Sequence, residues 1–212
     1  MNKTDKANKI LLTTKNTISS FKRIYENDKK LSENEKSDLL RAVLLFSCSG
    51  VDAVMKQLIR DTLGNIIDVD EGAYSNFKDF IEKKIKNGDE KSNSKILAEI
   101  FTRDIKPKET LIEILKNELT SNSLQSAEEL ARVASFFNIE TMNINEIKEV
   151  FFARNQITHE MDVIMDEDEL NRRQRSEKNI IKLSNTIIKV AEHYINSINE
   201  KLSNEKSKNY LF

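Results

Sequence analysis

The chain is poor in the two residues that most often interrupt secondary structure. Its 212 residues include 4 Gly and 1 Pro, whereas average usage of roughly 7% and 5% would give about 25 in total. Sandwiches and barrels need a turn about every 8 to 12 residues, commonly built with Gly or Pro. The shortage argues against an all-β fold and favours long, uninterrupted helices.

The chain also lacks a second cysteine, an excess of one charge and a long apolar run. Cys48 is its only cysteine, so we expect no internal disulfide and a small core residue at this position. With 34 basic and 35 acidic residues, no global positive field exists to attract nucleic acid. The longest uncharged apolar run, Ala42 to Val51, is shorter than the roughly 20 residues of a membrane span. We therefore expect a cytoplasmic protein without membrane contact.

Helix-start signals recur along the chain. Four capping residues stand three positions before a carboxylate, as Ser32 before Glu35, Ser126 before Glu129, Asn143 before Glu146 and Asp166 before Glu169, which is the capping-box pattern. Together with the apolar spacing, they predict helices near residues 5–27, 33–63, 73–87, 93–104, 107–120, 126–137, 143–159 and 166–205. Gly64 and Gly88 are expected to end helices in the left-handed conformation, and Pro107 to begin one.

Two predicted helices form the frame of the fold. The second, 33–63, is apolar around much of its circumference, so we expect it in the middle of a bundle. The last has a single apolar stripe from Ile180 to Leu202, which predicts that it covers the outside of the core or pairs with a partner. The region between, about 64–142, is more polar.

Few residues are suited to chemistry. The sequence contains no glycine-rich phosphate loop, no zinc-spaced Cys or His pair and no Gly-x-Ser-x-Gly elbow. Of its two histidines, His193 lies one residue off the apolar stripe and is expected to be structural. His159 follows Asn155 by one helical turn and shares its face, and the long side chain of Arg154 can reach over to them.

These three side chains suit phosphate chemistry. A guanidinium binds phosphate oxygens through two hydrogen bonds and stabilises the charge of a transition state, while histidine transfers protons near neutral pH. Arg154, Asn155 and His159 are therefore candidate catalytic residues. The alternative is a surface arginine and a histidine that bonds to carbonyls at the end of a helix.

The segment Arg154-Asn155-Gln156-Ile157-Thr158-His159 resembles the Arg-x4-6-His motif of HEPN proteins (higher eukaryotes and prokaryotes nucleotide-binding), including the polar Asn after the Arg. The apolar helix Leu39 to Leu63, with Ser49-Gly50-Val51-Asp52 inside it, is similar to the early core helix of that family. The resemblance covers about 33–63 and 143–200. It implies a single all-α domain, a HEPN-like helical bundle with an additional helical insertion at about 64–142 and a long C-terminal helix.

The resemblance also implies a function. HEPN ribonucleases act as homodimers with a composite active site and need no metal or cofactor, often in toxin-antitoxin or antiphage systems. Arg154 would bind the scissile phosphate, Asn155 would orient it and His159 would act as general acid or base, leaving a 2',3'-cyclic phosphate and a 5'-hydroxyl. The implied partners are RNA, a second copy of the chain and, in a toxin-antitoxin system, an antitoxin protein. The alternative is an inactive HEPN-like scaffold that binds nucleotide or a protein partner, for which the stripe Ile180 to Leu202 is the motivation.

Asp52 is a candidate supporting residue. A carboxylate on a buried helix is costly unless it is paired, and two partners are open: Asp52 holds Arg154 or His159 in position, or it forms an ion pair with Lys56. In the same helix, Ser47, Ser49 and Gly50 are better explained by a close helix crossing than by a nucleophile, because no base is near in sequence.

Arg172, Arg173 and Arg175 form the densest basic cluster near the motif. We expect them to guide RNA phosphates and to contribute salt-dependent affinity. The acidic run before them, Asp162 and Asp166 to Glu169, lacks the glycine and spacing of an EF-hand. Charge at the start of a helix explains it better than a metal site.

Overall fold

A computed structural model describes residues 2–102, 106–164 and 171–208, with side chains up to Asn204 in the last range. Within these ranges the chain forms eight helices, which confirms the all-α prediction. They are α1 (Asp5–Asn27), α2 (Glu33–Val69), α3 (Glu71–Asn87), α4 (Glu90–Thr102), α5 (Pro107–Ser121), α6 (Ala127–Phe137), α7 (Ile144–His159) and α8 (Glu177–Lys208). An isolated antiparallel bridge joins Val163 and Arg172.

Helix α2 lies in the middle of the bundle, as its sequence predicts. It contacts α1, α3, α5, α6, α7 and α8, and residues such as Val54, Leu58 and Leu63 are completely buried. By length and composition alone, α2 would also be long enough to cross a bilayer, although 50% of its apolar window is buried inside the protein. Core helices of soluble proteins pass the same test.

The apolar stripe of α8 packs into the core of its own chain. Ile180, Ile187 and Ile198 are fully buried, and α8 contacts α1, α2 and α7. The buried hydroxyl of Tyr194 donates to the carbonyl of Leu130 at 2.7 Å, which connects α8 to α6. Of the two expectations for this helix, packing on the core is therefore the one that the structure shows.

Local capping signals predicted most helix starts well. Ser32 forms the complete capping box with Glu35, and the Ser126 side chain accepts the backbone N–H of Glu129. Asn143 also caps its helix, although through the N–H of Asn145. Pro107 occupies the first turn of α5, where its missing N–H is not needed.

The two glycine predictions are wrong. Helix α2 continues through Gly64 to Val69, and a Cβ at Gly64 would stand at an ordinary 3.5 Å from Ile112 of α5. Packing of α2 against α5 thus supports a helix that the sequence alone suggested should end. Gly88 does follow α3, but its φ is −73°, so it is not in the left-handed region.

Gly50 marks a close helix crossing, as expected. A Cβ at this position would lie 2.3 Å from the Thr14 side chain of α1, so only glycine permits this approach. One turn away, the buried Ser47 hydroxyl hydrogen-bonds the Val43 carbonyl and the Ser184 hydroxyl, each at 2.6 Å. These small residues let α1 and α8 approach α2 from two sides.

The last helix begins later than predicted. It starts at Glu177 rather than 166, and residues 171–176 are not helical. The Ile164 N–H donates to the Asn171 carbonyl at 2.8 Å, and the Arg173 N–H to that of Asp162 at 2.7 Å. These bonds pair residues 162–164 with residues 171–173 ahead of α8. The expected capping pair Asp166 and Glu169 lies outside the described residues.

The region 64–142 contributes to the same core as the rest of the chain. Phe77, Leu115, Leu119 and Phe137 belong to a single hydrophobic cluster that includes residues of α2 and α8. Helix α4, by contrast, has no buried residue. Only part of the predicted insertion therefore lies on the outside of the bundle.

Candidate active site

Helix α7 presents the motif because its apolar face is packed inward. Ile147, Val150, Phe151, Ala153 and Ile157 are buried, and α7 contacts α2, α6 and α8. The opposite face is left to solvent, where Asn155 and His159 are exposed. The helix ends at His159, so the motif occupies its last turn and a half.

The three motif side chains meet at this end of α7. The Nη1 of Arg154 donates to Oδ1 of Asn155 at 2.9 Å. The same nitrogen lies 3.4 Å from Nε2 of His159. A guanidinium, an amide and an imidazole thus share one small exposed surface, which is the geometry that the spacing predicted.

Arg154 has no carboxylate within 4.0 Å among the residues that the structure describes. Its other donors are free of such competition, and a guanidinium carries five N–H donors in a planar fork. A phosphate group would match that fork with two parallel hydrogen bonds. The surface is open rather than enclosed: a cavity of 620 Å³ lies elsewhere, among α3, α4, α5 and α6, and no motif residue lines it.

Cys48 of α2 lies beneath this end of the site and is inert. It is 1% exposed. Burial raises the pKa of its thiol to about 12, although the positive charge of Arg154 acts in the opposite direction. The thiol is therefore neutral at physiological pH, and Cys48 packs as the small core residue that the sequence predicted.

Asp52 does not support the motif. Its Oδ1 accepts the backbone N–H of Leu124 at 2.6 Å, and its Oδ2 pairs with Nζ of Lys56 at 3.1 Å. The expectation that Asp52 holds Arg154 or His159 is thus replaced by the other alternative, the Lys56 pair. Its additional bond fixes the chain ahead of α6.

The three clustered arginines do not form a free basic surface. Each has a carboxylate partner: Arg172 pairs with Asp38 at 2.8 Å, Arg173 with Glu160 at 2.8 Å and Arg175 with Asp162 at 2.6 Å. The Arg172 pair connects the chain ahead of α8 to α2, whereas the other two pairs connect it to the residues that follow α7. These ion pairs reduce the free charge of the cluster, although Asp38 and Asp162 are each shared with Arg41. That the cluster guides RNA phosphates stays a prediction.

Asp162 belongs to a buried charge cluster and not, as its place in the acidic run predicted, to the start of a helix. It is 0% exposed, and its carboxylate accepts Nε of Arg41 at 2.8 Å and both Nε and Nη2 of Arg175. Burial acts to raise the pKa of Asp162, but the hydrogen bonds from Arg175 and Arg41 outweigh it and hold the pKa below its usual range. Asp162 therefore stays ionised inside the protein.

One signal for this cluster was present in the sequence. Arg41 interrupts the apolar stretch Leu39 to Leu45 in α2 and is 5% exposed. A cation so placed requires a buried acceptor. One acceptor, Asp38, lies three positions earlier and accepts Nη1 of Arg41 at 3.2 Å. The sequence does not identify the buried acceptor, Asp162, because it is 121 positions away.

The backbone next to the cluster is strained. Met161 and Asp162 have φ values of 50° and 60°, in the left-handed region that costs L-residues roughly 1–2 kcal/mol each. Such conformations persist where the surroundings enforce them. Here the buried carboxylate of Asp162 supplies that enforcement.

The second histidine contacts the backbone. Nε2 of His193 lies 2.9 Å from the Glu140 carbonyl, which fits the predicted structural role.

A metal site was also sought among the described residues. Within residues 2–102, 106–164 and 171–208, no group of three or more His, Cys, Asp or Glu side chains could hold a metal ion.

Comparison with known proteins identifies no relative. No protein-family model, curated protein or solved structure matches the chain. The functional interpretation therefore depends on the site geometry and on the motif resemblance.

Proposed function

We propose that the protein is a metal-independent endoribonuclease of HEPN type. The observation that carries this proposal is the meeting of the Arg154, Asn155 and His159 side chains at 2.9 and 3.4 Å on an exposed helix end. The absence of a carboxylate beside Arg154 in the described residues leaves its guanidinium available to a phosphate.

The proposed reaction uses groups that RNA and these side chains supply. A histidine acting as base accepts the proton of the ribose 2'-hydroxyl, and the 2'-oxygen attacks the adjacent phosphorus. The bond from phosphorus to the 5'-oxygen breaks, and that oxygen receives a proton from a general acid. Arg154 stabilises the added negative charge on the phosphate oxygens, while Asn155 orients them. The products are a 2',3'-cyclic phosphate and a 5'-hydroxyl.

A second copy of the chain would complete the site. One chain contributes a single motif histidine, whereas the reaction needs both a base and an acid. Phe152 and Met161, beside the motif, are 66% and 68% exposed, and large exposed apolar side chains are typical of surfaces that become covered. We place the activity in a cytoplasmic toxin-antitoxin or antiphage system, with an antitoxin protein as a possible further partner.

The decisive assay incubates the purified protein with mixed RNA in EDTA. We expect cleavage by the wild-type protein and its loss in Arg154→Ala and His159→Ala. Arg23→Ala, an exposed arginine on α1, is the matched control and should cleave normally. No cleavage by the wild-type protein, or equal cleavage by all variants, would refute the proposal.

The competing scaffold function has lost its main support. Its motivation was a free apolar stripe from Ile180 to Leu202, and most of that stripe is buried in the chain's own core. Light scattering combined with the RNA assay separates the two functions. A dimer that binds RNA or nucleotide without cleaving RNA would favour the scaffold.

A further inference from the structure

A buried charge cluster lies directly behind the motif. Asp162 comes three residues after His159, and it joins Arg41 of α2 to Arg175 ahead of α8. Arg41 also donates through Nη2 to the Arg173 carbonyl at 3.0 Å. We call Arg41, Asp162 and Arg175 the clasp.

The clasp is attached to the same turn of α7 that carries the motif. The backbone N–H of Asp162 donates to the Gln156 carbonyl at 2.9 Å, and the N–H of Glu160 donates to the same oxygen at 3.2 Å. Arg175 Nη2 binds the Gln156 side chain at 2.8 Å. Gln156 lies between Arg154 and His159, so these bonds hold the last turn of the helix at the point where the motif needs it.

The side chain of His159 has little support of its own among the residues that the structure describes. It is exposed, and it contacts Arg154 at 3.4 Å. Helix ends fray unless their last carbonyls are bonded. The Asp162 N–H bonds one of these carbonyls, that of Gln156, and the Asp162 side chain is tied through Arg41 to the central helix α2.

We propose that Arg41, Asp162 and Arg175 are positioning residues that fix His159 relative to Arg154 while contacting no substrate themselves. This inference rests on the proposed ribonuclease function for its catalytic consequence, but not for its structural content. Misplacing a reacting group by about 1 Å can cost about 100-fold in rate. Loss of the clasp should therefore lower kcat about 100-fold with little change in KM.

The test uses Asp162→Asn and Arg41→Met in the full chain. Asn tolerates the left-handed backbone conformation, so Asp162→Asn removes mainly the charge. Asp70→Asn is the matched control: Asp70 is also a paired carboxylate, with Lys201, Asn138 and the Ala73 N–H as partners. It follows the far end of α2, about 40 Å from Arg41 at 1.5 Å per residue.

Two readouts are needed, RNA cleavage and the NMR signals of the histidine rings. The chain has 2 His, so His159→Gln assigns both signals and His193 serves as internal reference. We expect the clasp variants to shift or broaden the His159 signals and leave those of His193 in place, whereas Asp70→Asn changes neither. If Asp162→Asn does not fold, Arg175→Lys, which keeps the charge but lacks the planar fork, is measured instead.

The outcomes separate the two proposals. Unchanged His159 signals in a folded clasp variant, or equal shifts in Asp70→Asn, would overturn the clasp. An inactive wild-type protein would refute the ribonuclease function alone, and the NMR signals would still decide whether the clasp positions His159. Shifted His159 signals together with a reduced kcat in active protein would support both.

Discussion

Arg154 and Arg175 lie at the same end of α7, yet their surroundings are opposite. Arg175 binds a buried carboxylate and the Gln156 side chain, whereas Arg154 reaches, among the described residues, only an amide and an imidazole on the exposed face. A guanidinium neutralised by a carboxylate serves the fold, while one without such a partner can bind an external anion. Pairing, rather than the number of arginines in a segment, therefore indicates which of them is available to an anion.

The largest expected effect is the loss of RNA cleavage when Arg154 is replaced. Arg154→Ala should lower kcat/KM for RNA cleavage by about 10²–10³-fold, the usual cost of removing one group that stabilises a transition state. Its melting temperature should stay close to that of the wild-type protein, because the side chain holds no structural ion pair. If Arg154→Ala loses stability but keeps its activity, then Arg154, like Arg175, serves the fold and not the reaction.

Replacing Asp162 should, in contrast, lower the free energy of unfolding. Asp162→Asn removes the carboxylate that binds Arg175 and leaves Arg41 with only its more exposed partner Asp38. Breaking a buried ion pair typically costs about 3–5 kcal/mol. Urea unfolding at pH 7 measures this free energy. A cost below that of a surface pair would show that the cluster contributes little to folding.

Low pH should remove the stability that the ionised carboxylate of Asp162 contributes to the folded protein. The pKa of Asp162 is lowered in the folded protein, so its stabilising contribution is complete at neutral pH and is lost as pH falls below the unfolded value of about 3.9. The stability difference between wild type and Asp162→Asn should therefore shrink from about pH 5 downward. Urea unfolding at several pH values checks this, and a difference that grows in acid would contradict it.

The smallest effect is expected at Arg172. Its pair with Asp38 is exposed, with side-chain exposures of 39% and 54%, and such pairs contribute at most about 1 kcal/mol. Arg172→Ala should thus change unfolding free energy by less than about 1 kcal/mol. Its RNA cleavage should stay within about threefold of wild type, which corresponds to roughly 0.7 kcal/mol. A larger loss of RNA binding, with a reduced salt slope, would support the predicted role in guiding RNA.

Features determined by neighbouring residues could be predicted from the sequence. The caps at Ser32 and Ser126 depend on residues three positions away, and the Arg154 to His159 site is contained in one and a half turns of helix. Features determined by distant residues could not. Helix α2 passes Gly64, where α5 packs against it, and residues 171–176 precede α8 without being helical, bonded to the distant Asp162 through Arg173 and Arg175.

The supporting residues show the same limit. Two partners for Asp52 were compatible with the sequence, and the nearby Lys56 was the correct one because it lies one helical turn away. The Leu124 N–H that completes its bonding comes from a distant loop. Of the two carboxylates that bind Arg41, Asp38 lies three positions away, whereas the buried Asp162 is distant and could not be identified from the sequence.

The buried position of Cys48 has a practical consequence for measuring how two chains assemble. Because the native thiol is neutral and inaccessible, a cysteine introduced on the surface is the only one that reacts with oxidants or labels. Thr158→Cys, beside His159 and exposed, should form a disulfide between chains if two motifs face each other. Leu12→Cys, exposed on α1, provides the background. Cys48 therefore need not be replaced before distances between chains are measured by cross-linking or with paired spin labels.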